Sequence, residues 1–225
     1  CQHRTVFQKK LIDQPLMRQV LADLALDHQA ATVLVIRLAR AFDLAAEEPR
    51  EAAIARIMSP AFKYWVCKTL PGFAYEAMEC LGGNGYVEEG PMARLYREAP
   101  LNAIWEGSGN VMCLDVLRAV GKDPEAFQSI MDGMAACAEG EARLLNSIEK
   151  LRERFTNPSG LEADVRYVVE KLVHVTAACL MRKTAPCAVS EAYIASRVKG
   201  CYRGIYGSLR GADVGAILER AQPAY

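Results

Sequence analysis

Residues 13–46 read DQPLMRQVLADLALDHQAATVLVIRLARAFDLAA, and this stretch decides the fold class. Apolar side chains recur at Leu16, Val20, Leu24, Leu34, Leu38 and Phe42, with Leu21 and Val35 widening the stripe. Spacings of three and four are the period of an α-helix, whereas a half-buried strand alternates every second residue. Asp13 followed by Pro15 reads as the helix start, because proline's missing N–H costs nothing in the first turn.

The same period continues outward. A second helical stretch is expected from about 48 to 81, broken or kinked at Pro60 and Pro71, since an interior proline costs roughly 3 kcal/mol. LGGNGYVEEGP (81–91) then ends it in a loop. Helices at 91–98 and 108–120 follow, and GKDP (121–124) reads as a boundary. Beyond it, segments at about 125–138, 140–156, 160–184, 187–200 and 208–221 are again helical. No alternating pattern, repeat or low-complexity tract interrupts them. The expectation is an all-α protein in two parts, a helical bundle at 1–120 and a smaller helical extension at 121–225.

Composition agrees. The 225 residues carry 27 Lys+Arg against 27 Asp+Glu and are 52% apolar, which excludes a disordered or collagen-like chain. Zero net charge also excludes nucleic-acid binding by bulk charge alone. Eight cysteines lack metal-ligand spacing and read as reduced thiols of an intracellular, cytoplasmic protein, with no metal site. No run of about eighteen apolar residues and no leader are present, so no membrane partner is expected. The opening CQHRTVF has neither cap nor helix start, as in a chain that begins in mid-architecture.

Two motifs can carry chemistry. In GGNGY (82–86), Gly82, Gly83 and Gly85 either end a helix or let a ligand approach the backbone. The spacing is not that of a dinucleotide fingerprint, and a helix precedes it. In IWEGSGN (104–110), Glu106 precedes a turn and a helix start capped by Ser108. One reading is an acid placed favourably at a helix N-terminus. The other is a general base whose pKa is raised by an aromatic wall from Trp105.

The ordered landmarks RTVFQKKLIDQPLMRQVLADL (4–24), GGNGY, RLYRE (94–98) and IWEGSGN together resemble the C-terminal helical domain of the acyl-CoA dehydrogenases. WEGSGNVMCLDVLR with LYREAP is most similar to the AidB-like branch, whose members carry a helical extension after this domain. The resemblance implies an FAD-dependent flavoprotein oxidising acyl-CoA, with Glu106 as the base that removes the α-proton. It implies FAD contacts at Ser108, Asn110, Gly82 and Gly83. Arg4 and Phe7 would reach the FAD of a neighbouring subunit in a homotetramer, and Trp105 would line the acyl pocket. It also implies N-terminal helical and middle β domains outside this chain, without which the fragment is expected to be inactive. Gln8 stands where most relatives have glycine, and Glu79 where they have glutamine.

The charge balance is local as well as global. Arg182, Lys183, Arg197, Lys199, Arg203 and Arg210 face Glu191 alone between 180 and 210. They are either a solvated helix face or a stripe contacting the phosphates of double-stranded DNA. The resemblance supports the latter, because AidB-like proteins are thought to bind DNA through this region. The alternative function is therefore a DNA-binding flavoprotein of the alkylation response with a vestigial dehydrogenase site.

Overall fold

The computed structural model describes residues 1–157, 159–200, 206–209 and 211–222. A two-residue hairpin opens it: β1 (Thr5–Val6) pairs antiparallel with β2 (Lys9–Lys10). Phe7 and Gln8 at its tip both have positive φ, 51° and 65°, the turn type whose twist matches that of the strands. A 3-10 turn at Leu11–Asp13 leads into α1 (Pro15–Leu44). The helix therefore starts on Pro15 with Gln14, not Asp13, at the cap. The Gln14 amide reaches back to the Val6 carbonyl at 2.9 Å and ties the hairpin to the helix.

The antiparallel partner α2 (Pro49–Cys80) runs through both Pro60 and Pro71, so that of the expected kink or break no break occurs. Each proline forfeits one helical hydrogen bond, roughly 3 kcal/mol. Ile57, Met58, Phe62 and Trp65 beside Pro60 are all at most 4% exposed, and burying one such side chain contributes about 1.5–3 kcal/mol. Packing outweighs the local penalty. Short helices α3 (Gly83–Tyr86) and α4 (Met92–Asn102) lie against α2, followed by α5 (Gly109–Lys122).

The GKDP boundary is a tight corner. The Asp123 carboxylate accepts from the Ala126 N–H at 3.0 Å and Pro124 occupies the first turn of α6 (Pro124–Cys137). Then come α7 (Ala142–Thr156), α8 (Leu161–Thr184), α9 (Cys187–Tyr193) continuing as a π-helical turn at Ile194–Val198, and α10 (Val214–Ala221). Helix α8 is the hub: Val169, Leu172, Val173, Val175, Ala177, Ala178 and Met181 are fully buried on nearly every side. It packs against α1, α2 and α5 as well as α6 and α7, so both parts share one core.

An ion triad locks the extension onto the bundle. Arg197 donates to Asp27 at 3.0 Å and pairs with Asp23 at 2.6 Å. The second Asp23 oxygen accepts the Gly207 and Ser208 N–H groups at 2.9 and 3.3 Å. Asp23 is 0% and Arg197 3% exposed. Burial raises the Asp27 pKa, and the facing Arg197 opposes that rise. For Arg197, burial alone would lower the pKa, but Asp27 and Asp23 together raise it. The assignment of Arg197 to an exposed DNA-binding stripe is thereby corrected: its cation is neutralised inside the core. His174 is likewise a core residue, its Nδ1 2.8 Å from the Tyr193 hydroxyl and its ring edge-on to Trp65.

By length and composition alone α1 could cross a membrane. Here its inner face packs on α2, α8 and α10 and carries Asp23 and Asp27 into the protein.

Candidate functional site

At the C-terminal end of α2, the three glycines of GGNGY divide the work. Gly82 takes φ +61°, a left-handed conformation that disfavours any Cβ. Gly85 is required by packing, since a Cβ there would lie 2.2 Å from the Met78 carbonyl. Gly83 meets neither constraint: a Cβ there would touch nothing within 4 Å. Arg4, 77 residues away in sequence, donates to the Leu81 carbonyl at 2.9 Å. Its guanidinium lies 3.3 Å from where a Gly82 Cβ would stand. The structure thus brings Arg4 and Gly82 together, leaving the other guanidinium donors facing solvent. Phe7 is 90% exposed at the hairpin tip, touching little of its own chain.

The second cluster is the turn before α5. Glu106 has φ +56° and Gly107 φ +127°. A left-handed glutamate is sparsely populated and persists only where the surroundings impose it. Lys63 of α2 imposes it, donating to the Trp105 carbonyl at 3.0 Å and to the Gly107 carbonyl. Both flanks of Glu106 are thereby clamped by a residue that the sequence reading did not single out.

Glu106 is exposed and Trp105 is 55% exposed. The expected aromatic wall over the carboxylate is therefore not built from this chain. Glu106 sits instead on the rim of a cleft of about 560 Å³ formed with Phe42, Arg56, Ser59, Lys63, Met112 and Asp115. Arg56 and Asp115 form a two-pronged pair, 2.9 Å on each side, along its wall.

Ser108 has cap geometry, but its hydroxyl makes no capping hydrogen bond. It is exposed and unspent. Asn110 is oriented by the extension: Arg166 of α8 donates to its side-chain oxygen at 2.8 Å, leaving its amide N–H groups free to donate. Gly109 between them is close-packed, since a Cβ would lie 3.3 Å from both the Tyr64 ring and the Arg166 guanidinium. Burial pushes the Tyr64 hydroxyl up to about 12 and the Cys113 thiol up to about 11, which keeps both neutral beside the turn.

Lys63 and Leu81 are eighteen residues apart on α2 and its end, about 27 Å along a helix rising 1.5 Å per residue. The Arg4–Gly82 corner and the Glu106–Asn110 turn are therefore two separate sites on one chain. Of the proposed DNA contacts, Arg182 donates to the Glu139 carbonyl at 3.1 Å, and Lys183 and Lys199 are exposed. Arg203 and Arg210 lie outside the described residues. Among the described residues no cluster of metal ligands occurs.

This helical fold with a clamped glutamate before α5 defines a class: the chain belongs to the acyl-CoA dehydrogenase family, whose C-terminal domain profile matches residues 1–121. It is similar to the putative acyl-CoA dehydrogenase AidB of Escherichia coli (strain K12), 44% identical over 156 residues, 69% of this chain and 29% of that protein. Acyl-CoA dehydrogenase family member 11 of Caenorhabditis elegans is 34% identical over 118 residues, 51% of this chain and 19% of that one. The crystal structure of Caenorhabditis elegans ACDH-11 in complex with C11-CoA superposes with a TM-score of 0.74. It shares 21% identity and covers 96% of this chain and 37% of its own, so the extension too follows a known fold. The chain spans less than a third of the length of the two curated relatives.

Proposed function

We propose that the protein containing this chain is an FAD-dependent flavoprotein that oxidises acyl-CoA thioesters, with Glu106 as the catalytic base. The observation that carries this reading is the left-handed backbone at Glu106, held from both sides by Lys63 on the rim of a cleft. Such strain places a carboxylate where the local chain would not by itself put it. Trp105 beside it would contribute to the acyl pocket.

The residues present fit the cofactor. The uncapped Ser108 hydroxyl, the oriented Asn110 amide and the N-terminal N–H groups of α5 offer donors to it. Arg4 offers a planar fork suited to a pyrophosphate, and Gly83 leaves backbone open to close approach. When bound, the flavin supplies an acceptor for the substrate's β-hydrogen as hydride. Glu106 takes the α-proton, and its backbone N–H donates to the thioester carbonyl where negative charge develops.

The wide separation of Arg4 and Phe7 from Asn110 supports service to two cofactors in different subunits of a homotetramer. Exposed Leu16, Ile36, Phe42, Tyr86 and Ile104 supply apolar surface for subunit or domain contacts. All seven described cysteines are free, which supports a reducing, cytoplasmic setting. No specific observation favours the DNA-binding reading, because its stripe loses Arg197 to the core.

In the full-length protein, Glu106→Gln is expected to slow bleaching of the flavin absorbance by acyl-CoA by a factor of about 10² to 10⁴. Bleaching at the unaltered rate would overturn the assignment.

A further inference from the structure

The extension uses its arginines and lysines differently. Arg143, Arg152, Arg154 and Arg197 each hold a carboxylate of the same chain. Lys150 on α7, Lys171 on α8 and Lys199 after the π-helical turn form no ion pair among the described residues. All three line one cleft of about 580 Å³ between α7, α8 and residues 198–200. Its floor is apolar, with Leu151, Val168 and Val198 buried beneath it. The one acid in its lining, Asp164, is held by Arg154 at 3.1 Å.

Three cations that form no ion pair among the described residues line one cleft, and a multiply charged anion is attracted to such a surface. The rim supplies a second recognition element. Tyr167 is 64% exposed, with Lys171 Nζ over its ring, 5.7 Å from the centre. An exposed aromatic ring beside cations is a platform for a planar base attached to phosphates. The cleft is concave and its volume is that of a small-ligand site.

We infer that this cleft binds a purine nucleotide, with its phosphates on Lys150, Lys171 and Lys199 and its base stacked on Tyr167. The site lies wholly in the extension and uses no residue of the Glu106 turn or the Arg4 corner.

The test is calorimetric titration of ADP into the full-length protein with its own FAD bound and no free FAD or acyl-CoA added, because both carry an adenosine diphosphate group that would compete for the cleft. One ADP per chain is expected. Tyr167→Ala is expected to weaken binding roughly tenfold or more, and Tyr167→Phe, which keeps the ring, to restore it. Lys171→Met with Lys199→Met is expected to weaken it by about a hundredfold and to flatten its salt dependence. These side chains lie on the surface of the cleft, and unchanged melting temperatures will show that the variants fold. Absence of saturable binding, or equal affinity in all variants, overturns the inference. Pyrophosphate binding as tightly as ADP removes the base and overturns it too. A duplex oligonucleotide that displaces ADP below ADP's own dissociation constant would make the cleft a nucleic-acid surface instead.

Discussion

Replacing Arg197 with methionine tests the account of how the extension is held to the bundle. The substitution keeps an unbranched apolar stem and removes a guanidinium lying 2.6 Å from Asp23 and 3.0 Å from Asp27. Asp23 keeps two backbone donors, Gly207 and Ser208, but Asp27 loses its facing cation. Removing one partner of a buried ion pair leaves an uncompensated charge and costs about 3–5 kcal/mol. The sign of the pH dependence follows from Asp27, whose pKa is already raised in the folded state by burial. Without Arg197 it rises further, so the folded variant holds a proton that the unfolded chain has released. Where the folded state binds more protons, stability falls as pH rises. The loss relative to wild type should therefore be smaller at pH 5 than at pH 8, as read by urea unfolding followed by circular dichroism. Adding Asp27→Leu should recover at least half of the loss at pH 8. A loss under about 1 kcal/mol, or an equal loss at both pH values, would refute the buried-triad account.

Lys63→Met should leave the melting temperature nearly unchanged yet slow flavin bleaching by acyl-CoA roughly tenfold or more, since a small misplacement of a catalytic group is costly; full activity would show that the clamp on Trp105 and Gly107 does not position Glu106. Gly85→Ala should destabilise by about 1–3 kcal/mol, because its Cβ would collide with the Met78 carbonyl. Gly83→Ala, with open space around it, should melt like wild type but bind FAD more weakly in a fluorescence titration; unchanged FAD affinity would remove Gly83 from the cofactor site. Gln8→Gly should stabilise by up to about 1 kcal/mol by relieving the left-handed backbone at the hairpin tip, measured by thermal melts.

The local geometry of the candidate site was legible because its signals are local. Glu106, Ser108 and Asn110 fall within five residues, and the glycine cluster marks the end of α2 directly. Lys63 was not legible. Its function depends on α2 passing beside a turn more than forty residues further along the chain, and an isolated lysine carries no spacing signal for that. Within the basic run at 180–210, Arg197 was not legible for the same reason: charge counted along a sequence does not tell which side of a helix it lies on. Lys150 and Lys171 lay outside that run yet share a cleft with Lys199.

The sequence by itself determined the helical class, the corner at Asp123 and Pro124, and the residue types gathered before α5. These follow from backbone sterics and capping, which act within a turn or two. Only the tertiary structure decided that Pro60 and Pro71 stay inside one helix and that Arg197 is buried 170 residues from Asp27. It alone decided which glycine of GGNGY serves conformation, which packing and which neither. Those outcomes depend on which distant surfaces meet, where burial and charge pairing outweigh local preference.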